Sequence, residues 1–277
     1  MNYSLDVVVP VKFPSIHLDE MRVILENVPS KIRVNYVLDC HGEIKVDSSQ
    51  LKVKSHERIF TGAFGSPGFA RNAALDNSDA EFVIFWDVDD KPDLRQTESF
   101  LRYLENRNGE VGIANWSFID SPGNLQGISP FSVGWSPGIW RFMFRRETIE
   151  GTRFSNLHWG EDQLFILEVL SKGPRIITYE GDIYGYRKDV SGSLTKKREN
   201  VTDLFKANEM GSKHVISMEG GAIVCAEVML FRQLLTLIKY GKVVVVLRLL
   251  RNRLTKKRVR GIGFIGLLKQ LRKARLW

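Results

Sequence analysis

The sequence predicts an α/β fold: a mixed, mostly parallel sheet flanked by helices, followed by a helical and basic C-terminal extension. Three observations carry this expectation. Short apolar runs alternate with stretches of helical periodicity through the first half of the chain. The 277 residues are 43% hydrophobic, enough for one large core. Acidic residues end two of the apolar runs, at Asp39 and Asp87, and open α/β sheets bind ligands at the carboxyl ends of their strands.

Leu5 to Val11 is valine-rich and reads as a buried first strand. His17 to Asn27 places Leu18, Met21, Ile24 and Leu25 at helical spacing. Arg33 to Leu38 is the second strand, ending at Asp39, and Gly42 to Thr61 holds an irregular segment and a short strand. Pro67 and Gly68 open a helix to Asn77. Glu81 to Trp86 is a strand buried on both faces, tipped by Asp87-Val88-Asp89-Asp90. A helix over Asp93 to Asn106 follows, then a strand over Glu110 to Phe118, a Gly/Ser/Pro loop over Ile119 to Gly138 and a strand over Ile139 to Phe144. Glu161-Asp162-Gln163 opens a helix that reaches Lys172 and stops at Gly173-Pro174. Two short strands, Arg175 to Tyr179 and Ile183 to Arg187, complete the α/β part. From Asn200 the pattern is mostly helical, which divides the chain into 1–200 and 201–277.

Composition narrows the setting. Cys40 and Cys225 show neither metal-ligand spacing nor a disulfide framework, as expected in a reducing compartment. The start of the chain carries Asp6 without a basic flank and reads as a strand rather than a signal peptide. The most apolar stretch, Ala222 to Leu250, is interrupted by Glu227, Arg232, Lys239, Lys242 and Arg248, so no transmembrane helix is expected. The net charge of +8 is uneven: Lys239 to Trp277 holds 13 Lys and Arg and no acid, leaving 27 basic against 32 acidic residues before it. Apolar residues through the basic run favour an anionic membrane surface over nucleic acid as its partner, with a solvated helical subdomain or an oligomer contact as the other reading.

The aspartate cluster raises the chemical question. Three carboxylates in four positions repel one another, and a D-x-D suits a hard divalent cation such as Mg²⁺ or Mn²⁺. By itself such a short motif is also met as a solvated turn. Glu161-Asp162 is a second acidic pair, at a helix start where acids stabilise the helix by about 0.3–1 kcal/mol.

The order of segments is more specific than either pair. PGFARNAAL, then an apolar strand into DVDD, then WGEDQLF, then YGYRKDVSGSLT resembles the family 2 glycosyltransferases of the GT-A fold, over residues 4–200. The resemblance implies an inverting, metal-assisted transfer of a hexosyl or N-acetylhexosaminyl group. The donor would be a nucleotide-diphosphate sugar, expected to be a UDP-sugar, and the acceptor a hydroxyl of a glycan or lipid-linked saccharide. It implies Asp89, with Asp87, as metal ligands and Asp162 as the general base. Pro10, Asp39, Arg71, Asp87, Arg187, Ser193 and Thr195 are then donor-binding. Trp135, Trp159 and Glu161 are the candidates for the acceptor. The chain departs from the family where Asp39-Cys40-His41-Gly42 and Pro10-Val11-Lys12-Phe13 stand in place of its usual runs. The implied setting is cytoplasmic, on the inner face of a membrane. The rival readings are a phosphatase whose strand also ends in D-x-D, and a non-catalytic membrane-associated scaffold of the same fold.

Overall fold

The computed structural model describes residues 3–40, 52–188 and 200–255. It contains an eight-stranded sheet. The first three strands are β1 (Leu5–Phe13), β2 (Ile32–Cys40) and β3 (Glu57–Gly62), with helix α1 (Leu18–Ile24) between the first two. Helix α2 (Pro67–Leu75) leads to β4 (Phe82–Phe85), and the short β5 (Lys91–Pro92) precedes α3 (Leu94–Glu105). Then come β6 (Val111–Phe118), α4 (Pro130–Trp135), β7 (Phe142–Arg145), α5 (Glu161–Ser171) and β8 (Ile176–Tyr186). Three helices follow: α6 (Val201–His214), α7 (Gly220–Lys239) and α8 (Val243–Thr255).

The spatial order is β3-β2-β1-β4-β7-β6-β8-β5. The pairs among β3, β2, β1 and β4 are parallel, as is β6 with β8; β7 runs antiparallel to both neighbours, and β5 to β8. The chain therefore winds from β1 out to β3 and returns to the other side of β1 with β4. That reversal opens a crevice at their carboxyl ends, where ligands bind in such sheets.

Both faces of the sheet are covered, so the strands alternate between two cores. Val7, Val9 and Val11 of β1, with Phe82 and Ile84 of β4, pack with α1 and α3 residues such as Met21 and Leu104. Val8, Val83 and Phe85 pack on the other side with α2 and α5 residues such as Ala70 and Phe165. Val215, Met218, Cys225, Ala226, Met229 and Leu230 join this second cluster. Part of the region after residue 200 thus packs into the core of the sheet, while Val201, Leu204, Leu234, Leu237, Val246 and Leu249 form a further cluster among α6, α7 and α8.

Four details differ from the sequence expectation. The 119–138 loop contains α4, where Ser129 Oγ accepts the Ser132 N–H at 3.1 Å and Pro130 takes the first helical position. The strand expected from Ile139 begins as a 3-10 turn, Ile139–Arg141, before β7. The two short strands after Gly173 are one strand, β8, whose register against β6 shifts near Asn115. Strand β5 was not expected at all. Helix α7 is long and apolar enough to cross a membrane, yet half of its most apolar stretch is buried in the fold.

Candidate active site at the carboxyl ends of the central strands

Local structure delivers the acids to this crevice. Strand β4 is wholly buried and leaves the core at Trp86, so Asp87 to Asp89 emerge half-exposed just beyond its end. Asp90 turns back: its Oδ2 accepts the Tyr184 hydroxyl at 2.8 Å and its Oδ1 the Arg187 N–H at 2.6 Å. The Tyr184 oxygen also accepts the Asp87 N–H at 2.9 Å. One phenol therefore ties the aspartate turn to the end of β8, and stacking of Tyr184 on Trp140 at 4.8 Å fixes it.

Glycine places the second acidic pair. Gly160 precedes α5 with φ of 89°, a conformation that side chains rarely adopt. A Cβ there would lie 2.9 Å from the Ala207 Cβ on α6, so the close helix approach demands glycine as well. Glu161 and Asp162 then occupy the first turn of α5.

Arg71 joins the two halves. It is buried in α2; its Nη2 donates to Asp87 at 2.9 Å and its Nη1 to Glu161 at 3.2 Å. Burial alone would lower its pKa, but the charges of Asp87, Glu161 and Asp162 outweigh that and raise it. Arg71, expected to contact the donor, is thus committed to holding two acids that lie far apart in sequence. Glu161, expected to face the acceptor, is buried against that arginine and is not open to a ligand.

The remaining carboxylates carry displaced pKa values. Burial, reinforced by the neighbouring Glu161 charge, pushes Asp162 up to about 7. Burial and the charge of Asp87 raise Asp89 and push Asp90 to about 8. Among the described residues no three His, Cys, Asp or Glu side chains are grouped to hold a metal by themselves. Asp87 and Asp89 nevertheless supply hard oxygen donors in a cluster with excess negative charge. Two carboxylates with the remaining positions left to phosphate and water are the usual provision for Mg²⁺, so the residues present fit a divalent cation.

Other expected residues sit around this centre. Pro10 lies half-buried near the end of β1, paired with Val37. Asp39 ends β2, and its Oδ1 accepts the N–H groups of Phe64 at 2.7 Å and Gly65 at 3.1 Å, shaping the turn before α2. Arg187 donates from Nη2 to Glu20 of α1 at 2.8 Å. Trp135 stacks on Phe131 and packs against Val228 and Phe231 of α7. Trp159 packs edge-on to Tyr240 at 5.7 Å, beside Leu204 and Leu234. Ser193 and Thr195 lie outside the described residues.

No protein-family model matches the chain, and no curated protein matches it in sequence. Solved structures do match. The 1–349 fragment of S. aureus TarS in complex with UDP-GlcNAc superposes with a TM-score of 0.68 at 16% identity, covering 85% of this chain and 73% of that one. The mannosyltransferase PcManGT from Pyrobaculum calidifontis, in complex with GDP-Man and Mn²⁺, superposes with a TM-score of 0.62 at 16% identity, over 100% of this chain and 81% of that one. The fold is GT-A. On the GT-A frame the crevice described above lies at the β1/β4 reversal. Sequence reasoning missed Glu20, which accepts from Arg187, and the tie that Tyr184 makes to the aspartate turn. Tyr184 alone left a trace, as the first residue of the YGYR run.

Proposed function

We propose that this protein is an inverting glycosyltransferase of the family 2 type, moving a hexosyl or N-acetylhexosaminyl group from a UDP-sugar to a glycan or lipid-linked acceptor hydroxyl. The observation that carries the reading is the Arg71 bridge, which brings the D-x-D turn and the base-bearing helix to one crevice. In the reaction, the acceptor O–H bond breaks and its proton passes to the Asp162 carboxylate. The oxygen forms a bond to the anomeric carbon as the bond to the diphosphate oxygen breaks, and the electron pair leaves with the nucleoside diphosphate. A cation bound at Asp87 and Asp89 would neutralise charge growing on that leaving group. Arg71 holds Asp87 in place, and Asp90 anchors the turn through Tyr184. Arg187 would have to exchange Glu20 for a phosphate oxygen to serve the donor, an exchange that a bidentate charge-assisted contact favours.

The phosphatase alternative gives no role to the second acidic pair, Glu161 and Asp162, which Arg71 holds to the D-x-D turn. The test is release of nucleoside diphosphate from UDP-, GDP- and dTDP-sugars with and without Mn²⁺. Metal-dependent release from one donor, abolished by Asp89→Asn, is expected. Failure of every donor both to turn over and to bind with metal present would leave the scaffold reading.

A further inference from the structure

Two cations and an imidazole converge on one carboxylate beside the aspartate turn. Glu20 Oε1 accepts from Arg187 Nη2 at 2.8 Å, and Lys91 Nζ lies 3.8 Å from the same oxygen. His17 Nδ1 lies 3.7 Å from Glu20 Oε2. Each group comes from an anchored part of the chain. Leu18 and Met21 are buried, which seats α1 and leaves Glu20 half-buried on it. Lys91 directly follows Asp90 and pairs with Gly185 between β5 and β8. Arg187 donates its own N–H to Asp90 Oδ1 at 2.6 Å. Lys91 and Arg187 are therefore both attached to the turn that carries Asp87 and Asp89.

One carboxylate does not satisfy this arrangement. Arg187 Nε is buried without a hydrogen-bond partner among the described residues, and Lys91 stands beyond hydrogen-bond distance of Glu20. A diphosphate brings more charge and more oxygens, and a guanidinium can grip two of them in parallel. The Arg187 hydrogen bond holds the Glu20 carboxyl below the usual carboxylate range, so Glu20 competes as an anion at neutral pH. It competes weakly. The two side chains are 31% and 40% exposed, and ion pairs this open contribute little. An open groove of about 540 Å³ between α1 and β5, lined by Glu20 itself with Asp19, Val23 and Lys91, gives a displaced Glu20 side chain solvent to turn into.

We propose that Glu20 is a built-in competitor for the donor diphosphate: it occupies Arg187 and Lys91 until the diphosphate displaces it and takes both cations. The inference rests on the transferase reading for the identity of the anion. The competition itself can be measured with inorganic pyrophosphate, without turnover.

Inorganic pyrophosphate and UDP are each titrated, with Mg²⁺, into the full chain and its variants by calorimetry. Glu20→Gln is expected to bind both about two- to fivefold tighter than the parent. Arg187→Gln should weaken both by about tenfold, and adding Glu20→Gln to it should change affinity by less than about 1.5-fold. Asp19→Asn removes the same charge one residue away and should also stay within about 1.5-fold of the parent. A Glu20→Gln chain that binds neither probe more tightly overturns the proposal. So does a gain that persists without Arg187, or one that Asp19→Asn matches, since either would reduce the effect to net charge. Tighter pyrophosphate binding in Glu20→Gln, with UDP, GDP and dTDP bound by neither chain, would keep the competition and sink the transferase reading instead.

Discussion

Asp162 carries the clearest consequence at the level of a single residue. Its carboxyl group titrates near 7 because burial, and then the adjacent Glu161 charge, disfavour the anion. A base must be ionised, so turnover is expected to rise with pH up to about 7 and level off above it. Asp162→Asn should lower the rate by about 10²–10⁴ and remove that limb from the pH profile. The same shift costs stability. The folded state holds this proton more tightly than the unfolded chain, so stability is lost as pH rises from the usual carboxyl range near 3.8 through about 7. Asp162→Asn should therefore melt higher than the parent at pH 8, by about 2–4 °C for each kcal/mol recovered, and show no gain at pH 3. Melting curves at the two pH values check this; a variant that melts lower at pH 8 would contradict the assigned strain.

Among the elements, the 119–138 segment shows where sequence reading succeeds and where it stops. The strands of the central sheet were legible because two-sided burial writes itself as runs such as VVVPV and FVIFW. Helix α4 was not, because it is only six residues long and lies in a segment rich in Pro, Gly and Ser; only Ser129-Pro130 marks its start. What fixes the segment is a residue outside it. Arg141, fully buried, donates to the carbonyls of Ala114 at 3.1 Å, Ser136 at 3.3 Å and Gly127. Burial lowers its pKa to about 10, so it remains charged at neutral pH. Such an arrangement cannot be inferred from pattern, since an arginine facing carbonyls leaves no periodic signal. Hydrogen bonds to a charged group contribute roughly 1.5–3 kcal/mol each. Arg141→Leu loses three such bonds and is expected to lower the melting temperature by about 10 °C or more, and to loosen amide protection in residues 127–136, as hydrogen exchange would show. Unchanged protection there would mean that packing against α7, not Arg141, holds the segment.

At the scale of the whole molecule, charge and exposed apolar surface gather at the C-terminal end. Val243, Val244 and Leu247 of α8 are exposed, Val244 at 81%, and no acid follows Lys239. We propose that this end docks on an anionic membrane, which would bring a lipid-linked acceptor to the crevice. The full chain should sediment with phosphatidylglycerol vesicles and not with phosphatidylcholine vesicles, and a chain truncated after Tyr240 should remain in solution. Equal sedimentation of the truncated chain would rule the tail out. The division expected at residue 200 was drawn from periodicity alone. Pattern shows where helices begin, but it does not show that Cys225, Met229 and Leu230 fill the same core as Phe85 and Phe165.

Arg71 also constrains how this site can change over generations. Its guanidinium is shared between a carboxylate 16 residues away and another 90 residues away. Losing either acid leaves a buried charge half-compensated, which is destabilising in a way that no surface substitution repairs. Substitutions at positions 71, 87 and 161 should therefore be strongly non-additive. A lineage that abandons the chemistry would be expected to replace all three together, so one of them missing alone would mark a recent and unstable loss.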